Sequence, residues 1–176
     1  MIIRKIQLKD AEKFLIMLRA LDNDTAYMLY GPGERDTTIE EMKKRNKNIQ
    51  ASNSLLLIAE ENDQIVGYLS AQRGFANRIK HSAYIVTGIL KDYRGRGIGT
   101  TFFEGLEIWA LESGIIRLEL TMMLHNDHAL GLYQKMGFKI EGLKEKSMII
   151  SDHYVDEYYM AKIIAQPVTL EEKTCE

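Results

Sequence analysis

The order of apolar and polar residues in the first part of the chain predicts one strand followed by two helices. Residues 2–8 alternate as a strand does, and Asp10 is placed to cap a first helix. Thr37 or Thr38 is placed to cap a second helix that runs to about Asn48. Within this helix the acidic residues come first and the lysines later, as the helix dipole favours. The first helix repeats its apolar residues at helical spacing: Phe14, Leu15, Leu18 and Leu21.

The middle of the chain predicts an antiparallel hairpin, and the last third predicts a second one. Residues 55–60 and 65–72 are apolar, β-branched runs on either side of a turn. Gly88, near the end of the next strand, marks a bulge or a close backbone approach. The remaining predicted elements are a strand over 84–90, a helix over 97–112, a strand over 115–122, a helix over 126–136 that ends at Gly137, and paired strands over 138–149 and 154–164.

Length and composition fit a single domain of mixed α/β (α+β) class. With 176 residues, 45% hydrophobic and 27% charged, the chain is long enough for one core and too short for two ordinary domains. We expect this domain over residues 1–164 and a tail over 165–176. The net charge of -2 gives no basic stripe for nucleic acid, and no apolar run approaches the ~20 residues that a membrane span needs. Cys175 is the only cysteine, so neither a disulfide framework nor a metal cluster is expected, which suits a reducing cytoplasm.

A glycine-rich segment lies between the predicted fourth strand and the helix after it: Arg94-Gly95-Arg96-Gly97-Ile98-Gly99-Thr100. Its glycines let the main chain come within hydrogen-bonding distance of an anion, and the helix directs its positive N-terminal dipole at the same point. No Gly-Lys-Ser/Thr follows, and Thr100 occupies the third glycine position of the dinucleotide fingerprint. The segment therefore predicts a phosphate-binding loop of another kind.

Arg94-x-x-Gly97-x-Gly99 resembles the acyl-CoA signature of the GNAT superfamily, the CoA-dependent N-acyltransferases. A second block, Asn126-x-x-Ala129-x-x-Leu132-Tyr133-x-x-x-Gly137-Phe138, is similar to that superfamily's other cofactor block. The resemblance implies a twisted mixed sheet of about seven strands with helices on both faces, in which strands four and five splay apart. It also implies acetyl-CoA as co-substrate, with its pyrophosphate on residues 94–100 and its pantetheine arm on the backbone of Ile89 and Leu90.

Asn126, Ala129 and Tyr133 fall at i, i+3 and i+7, so they line one face of the last predicted helix. By the resemblance, Asn126 binds the pantetheine side of the cofactor, Ala129 lets it approach, and Tyr133 reaches the thioester sulfur. The same residues also fit an N-cap asparagine, a packing alanine and a half-buried tyrosine. A phenol with an ordinary pKa of ~10 stays protonated at neutral pH, so Tyr133 suits the general acid that protonates the leaving thiolate.

The base that takes a proton from the acceptor amine is left open by the sequence. Many members of the superfamily have a glutamate at the position of Tyr84, and a phenol is no base at neutral pH without a large pKa shift. Glu119 on the predicted fifth strand and His81 before the fourth are two candidates. Each also fits a surface or hydrogen-bonding residue.

The acceptor side is expected over residues 22–36 and at the closing turn, residues 150–153. The first segment predicts either a site for a cationic amine or a solvated surface, since it carries the acids Asp22, Asp24, Glu34 and Asp36 with Tyr27 and Tyr30 between them. Residues 137–142 and 156–160 resemble the branch that includes ribosomal-protein N-terminal, spermidine and amino-acid N-acetyltransferases. We expect three acidic residues of these ranges to cap or pair within the closing hairpin: Glu141, Asp156 and Glu157.

With the resemblance, these residues predict an N-acetyltransferase that moves acetyl from acetyl-CoA to a primary amine of a small molecule or peptide, by direct attack in a ternary complex. A non-catalytic CoA-binding or sensing module on the same fold is the alternative, and a phosphate- or nucleotide-binding protein of another kind is a second. We expect a cytoplasmic protein that uses no metal and binds neither nucleic acid nor membrane. The acceptor, the base and the oligomeric state, a homodimer included, stay open.

Overall fold

The computed structural model describes residues 1–165, whose seven strands form one mixed sheet. In chain order the elements are β1 Ile2–Lys5, α1 Ala11–Asp24, α2 Ile39–Ala51, β2 Leu55–Glu61, β3 Gln64–Arg73, β4 Ser82–Ile89, α3 Ile98–Glu112, β5 Arg117–Met123, α4 Asp127–Lys135, β6 Lys139–Ile150 and β7 His153–Ile163. The sheet order is β1-β2-β3-β4-β5-β7-β6, and β4 and β5 are parallel while the other neighbours are antiparallel. The predicted fold class is confirmed. Cys175 and the predicted tail beyond residue 165 lie outside the described residues.

Each face of the sheet carries its own apolar core. Leu55 and Leu57 of β2 join the cluster under α3, while Leu56 and Ile58 join the cluster under α1 and α2. The helix α1 comes so close to β4 that a Cβ on Gly88 would lie 2.3 Å from a methyl group of Leu21. The close approach predicted at this glycine is confirmed, and the β3–β4 register runs through it without a bulge.

The first strand and the first helix begin differently from the sequence expectation. β1 ends at Lys5 rather than at residue 8, because Leu8–Asp10 forms a short 3-10 turn. The Asp10 carboxylate accepts from the Gln7 amide at 2.7 Å and from Arg4 at 2.6 Å, so it makes no side-chain cap to α1. Asp10 is the N-cap residue of α1 as predicted, but it does not make the side-chain hydrogen bond expected of a cap.

Thr38 caps α2 as expected, in a capping box with Glu41. Among residues 1–165, no helix combines the length and the apolar character that crossing a membrane requires.

Candidate functional site

The glycine loop leads into α3 with two glycines in the left-handed conformation. Gly95 has φ +74° and Gly97, the N-cap residue of α3, has φ +82°. A Cβ at either position would meet no atom within 4 Å, so open space faces the loop there. The first hydrogen bond of α3 runs from the Thr101 amide to the Gly97 carbonyl, and no side chain caps the helix. The amides of residues 97–100 therefore have no intrahelical partner and are available to an anion.

Gly99 has a packing role in addition to the phosphate role predicted for it. A Cβ there would lie 2.7 Å from Cδ2 of Leu132 on α4. This distance is too short for a carbon contact, so the glycine allows α3 and α4 to pack closely. The role of the Gly99 amide in binding a phosphate stays a prediction.

Two arginines brace the loop. Arg94 donates from Nε to the Ile89 carbonyl at 2.9 Å, which ties the loop to the last residue of β4. Arg96 donates to the Asp92 carbonyl at 2.8 Å, and its guanidinium lies 4.8 Å from the centre of the Tyr93 ring. Both side chains are exposed. Their positive charges lie beside the start of α3, as the sequence predicted.

β4 and β5 pair only where they begin. Their register runs from Ser82↔Arg117 to Tyr84↔Glu119 and stops there, although β4 continues to Ile89. The predicted splay of strands four and five is confirmed. A gap therefore opens between them beyond Tyr84.

Backbone orientation decides which groups of β4 face this gap. The Leu90 amide donates to the Val66 carbonyl at 2.9 Å, on the β3 side. Because alternate residues of an antiparallel strand bond to the same neighbour, Ile89 and Thr87 direct their backbone groups to the other side, into the gap. The two residues predicted to meet the pantetheine arm thus differ: the Leu90 amide is already bonded, and Ile89 has the required orientation.

Asn126 is the N-cap residue of α4, and Ala129 and Tyr133 of α4 pack on the core under α3. The Asn126 side chain accepts from the Ala129 amide at 3.2 Å and so caps the helix. Tyr133 is buried, with its ring edge-on to Phe103 at 5.7 Å and beside Phe138 at 6.1 Å. Within residues 1–165, its hydroxyl has no hydrogen-bond partner.

The pKa of Tyr133 lies well above the ordinary tyrosine value. Burial is the main cause, and the neighbouring hydroxyls of Tyr68 and Tyr84 add to it. Tyr133 therefore keeps its proton at neutral pH, as a general acid must before the reaction.

Neither candidate base is free in the gap. Glu119 accepts from Arg117 Nε at 2.8 Å, and the same guanidinium bonds Glu141 at 2.5 Å. His81 precedes β4 at the paired end, where its carbonyl accepts from the amides of Ile116 and Arg117. Three residues of strand, or about 10 Å, separate it from Tyr84.

Three of the four acids in the predicted acceptor segment form an ion pair or a hydrogen bond with another residue of the protein. Asp22 forms a buried ion pair with Arg35 at 2.6 Å. Asp24 accepts from the Lys91 amide at 3.2 Å, and Glu34 accepts from the Gly31 amide at 2.8 Å. Of these three acids, Asp22 alone is paired with a cation, because the backbone amides that Asp24 and Glu34 bond carry no charge. The segment also contacts the turn before α4, since the rings of Tyr27 and His125 lie 5.3 Å apart.

The acids of the closing hairpin make the internal pairs that the sequence predicted. Glu141 bonds Arg117, Asp156 accepts from the Lys146 amide at 2.7 Å, and Glu157 pairs with Lys144 at 3.2 Å. The sequence argument missed the contact of Tyr84 with Thr121, whose hydroxyl oxygens are 2.8 Å apart. The signal was the polar alternation of residues 117, 119 and 121 on one face of β5. In the described part of the chain, no group of three His, Cys, Asp or Glu side chains could hold a metal.

Comparisons with known proteins agree with this geometry. The model of the acetyltransferase (GNAT) family matches residues 15–138. L-amino acid N-acetyltransferase AaaT of Escherichia coli (strain K12) is 31% identical over 108 residues, which cover 61% of this chain and 67% of that protein.

Two solved structures extend the likeness over nearly the whole chain. A GNAT-family acetyltransferase of Streptococcus pneumoniae superposes with a TM-score of 0.89 at 31% identity, over 93% of this chain and 99% of that one. The yncA protein of Salmonella typhimurium, solved with its cofactor acetyl-CoA, shares the fold with a TM-score of 0.84 at 16% identity, over 98% of each chain. Since the family model spans β4, the glycine loop, β5 and the α4 block, this chain belongs to the GNAT family of acetyltransferases.

Proposed function

We propose that the protein transfers an acetyl group from acetyl-CoA to a primary amine, by direct attack in a ternary complex. One observation carries the proposal: the uncapped amides of residues 97–100 sit in a loop that Arg94 ties to the end of β4, beside the gap. The yncA relative was solved with acetyl-CoA, which supports the same donor for this chain.

The residues around the gap fit the chemistry of this donor. The left-handed Gly95 and Gly97 leave open space in front of amides and arginines, which suits a pyrophosphate. Thr87 and the Ile89 amide offer backbone groups that a further strand would otherwise use, and the amide-containing pantetheine arm can pair with them in the same way. The Ile89 carbonyl already accepts from Arg94. Bound acetyl-CoA would supply the thioester.

Tyr133 is proposed as the general acid for the leaving thiolate. A CoA thiolate with a pKa near ~8.5 leaves more readily when a proton donor is close. The Tyr133 hydroxyl keeps its proton because of burial, and no described residue uses it as a hydrogen-bond partner. Its ring is fixed by Phe103 and Phe138, so the hydroxyl is held in one place.

The acceptor is proposed to be an amine, with amino acids as the first class to examine. AaaT is named for L-amino acids, and it is 31% identical to this chain over 108 residues. Asp22 is paired with Arg35, so it offers no free negative charge to a cationic acceptor.

The test is thiol release from acetyl-CoA with a panel of amino acids, polyamines, aminoglycosides and N-terminal peptides. Tyr133→Phe should lower kcat for the best acceptor by about 10²- to 10⁴-fold and leave acetyl-CoA affinity nearly unchanged. Tyr158→Phe is the matched control, because this half-buried β7 tyrosine packs on the same core and should keep native kcat. If the protein binds CoA but releases no thiol in the presence of any amine of the panel, the result would instead favour a binding or sensing module. Native kcat with a lower Tm in Tyr133→Phe would show that the ring only fills space.

A further inference from the structure

The chain that follows α1 crosses from one side of the gap to the other. Asp24, the last residue of α1, accepts at 3.2 Å from the amide of Lys91, which follows the end of β4. Tyr27 lies against His125, which follows the end of β5. Their rings are 5.3 Å apart, and the Tyr27 hydroxyl donates to the His125 carbonyl at 3.4 Å. Residues 24–27 therefore hold the ends of both splayed strands, and we call them the clasp.

The length of the clasp suits a gap that admits one extended chain. Paired strands lie ~4.8 Å apart, so two strands with room for a third between them are ~10 Å apart. Asp24 and Tyr27 are separated by three residue steps, which reach ~10 Å when the backbone is extended, and their side chains add to this reach. The clasp is thus long enough to bridge the two strand ends with a single extended arm lying beneath it.

The clasp and the pair of helices α3 and α4 lie on opposite faces of the sheet. The clasp continues α1, whose Leu21 packs against Gly88 of β4 in one core. Leu132 of α4 packs against Gly99 of α3 on the other core. Beyond Tyr84, where β4 and β5 stop pairing, the gap therefore has a strand on each side, packed helices on one face and the clasp on the other.

The clasp is held firmly at its base and weakly at its tip. Its base lies beside the buried ion pair of Asp22 with Arg35. At its tip, Tyr27 is 39% exposed and His125 is exposed as well. The 3.4 Å bond between them is long for a hydrogen bond. Opening the tip therefore breaks one ring contact and one weak bond, while the ion pair keeps the base in place.

We propose that the clasp closes the gap over the pantetheine arm of CoA, and that CoA enters and leaves only while the contact between Tyr27 and His125 is broken. The inference rests on the proposed use of acetyl-CoA as donor. In this arrangement Tyr27 and His125 are positioning residues, because they act by holding the clasp shut.

A gate has a kinetic signature that distinguishes it from a binding contact. A weaker clasp is open for a larger fraction of the time, both with and without CoA. The rate constants for CoA association and dissociation then rise by the same factor, and Kd does not change. Loss of a direct contact with CoA would instead raise the dissociation rate constant and Kd together. Loss of a purely structural contact would lower Tm and leave both rate constants unchanged.

The experiment measures CoA association and displacement by stopped flow with the full chain. Tyr27→Ala should raise both rate constants by about 3- to 10-fold, the worth of one aromatic pair, and keep Kd within about twofold of the native value. Tyr27→Phe retains the ring contact and should stay close to native rates. Tyr30→Ala is the matched control, because this tyrosine of the same segment packs on Arg35, with the guanidinium 4.5 Å from the ring centre. It should also keep native rates.

His125→Ala removes the same contact from the β5 side, so it replaces Tyr27→Ala if that variant fails to fold, and the same paired rise is expected. Unchanged rate constants in these two variants, or a rise in Kd that matches the rise in the dissociation rate constant, overturns the clasp. Binding of CoA by native protein would still support the proposed donor in either case. If native protein binds no CoA, the proposed donor fails and the clasp fails with it.

Discussion

The phosphate-loop assignment can be tested with one pair of glycines at the two ends of α3. Gly97 precedes the helix with φ +82°, and Gly114 follows it with φ +66°. A Cβ at either position would meet no atom within 4 Å. Gly97→Ala and Gly114→Ala therefore impose the same backbone strain without a steric clash, and only the first lies at the proposed pyrophosphate site.

The expected loss of stability is the same for both variants. Alanine in the left-handed conformation costs about 1–2 kcal/mol, and the smaller entropy of the unfolded chain returns about 0.4–1 kcal/mol. A net cost of about 1 kcal/mol lowers Tm by about 2–4 °C in a domain of this size. Loss of one hydrogen bond to a charged group is worth about 1.5–3 kcal/mol, so only Gly97→Ala should also raise the Kd for CoA, by about 10- to 150-fold.

Calorimetry gives the Kd, and thermal melting gives an independent check. CoA at 100 times the native Kd should stabilise native protein and Gly114→Ala by about 2.7 kcal/mol, but a tenfold weaker variant by only about 1.4 kcal/mol. Equal CoA affinity in the two variants would refute the assignment of the pyrophosphate to the start of α3.

Two further predictions concern stability. Gly99→Ala should lower Tm, because its Cβ would lie 2.7 Å from Leu132, and Leu132→Ala in the same chain should recover part of the loss; additive losses in melting experiments would contradict the packing explanation. Asp10 should stabilise the fold in a pH-dependent way, because the Arg4 hydrogen bond lowers its pKa in the folded state. This contribution is complete above the unfolded pKa of ~3.9 and is lost as pH falls through the folded pKa, so native protein should exceed Asp10→Asn in unfolding free energy at pH 6 and approach it at pH 2–3 in urea titrations, whereas a constant difference would refute it.

The sequence predicted the fold well because its signals were local. The hairpin of β2 and β3 follows from two apolar runs around a turn, and Gly137, with φ +86°, ends α4 where a left-handed residue was expected. β1 was predicted too long, since residues 6–8 continue its alternation but the chain turns into a 3-10 segment. Alternation of apolar and polar residues does not show where the pairing of β1 with its neighbouring strand ends.

The site was less predictable because its properties depend on register and on contacts between distant residues. Which of Ile89 and Leu90 faces the gap is set by pairing with β3, which the sequence does not specify. Gly99 matched a phosphate motif, but the neighbour that fills its space comes from another helix. The hydrogen bond between Tyr84 and Thr121 is not evident from the sequence, because it forms only when β4 and β5 are assembled.

The segment between α1 and α2 is fastened near both of its ends. The buried Asp22–Arg35 pair joins the last turn of α1 to the chain before α2, and the Tyr27 ring contacts His125. Residues 28–34 therefore span two anchors, and changes in them need not disturb the glycine loop or the splayed strands. Because we expect the acceptor beside this segment, we propose residues 28–34 as the span to diversify when the choice of acceptor is to be altered, with the donor half of the molecule left unchanged.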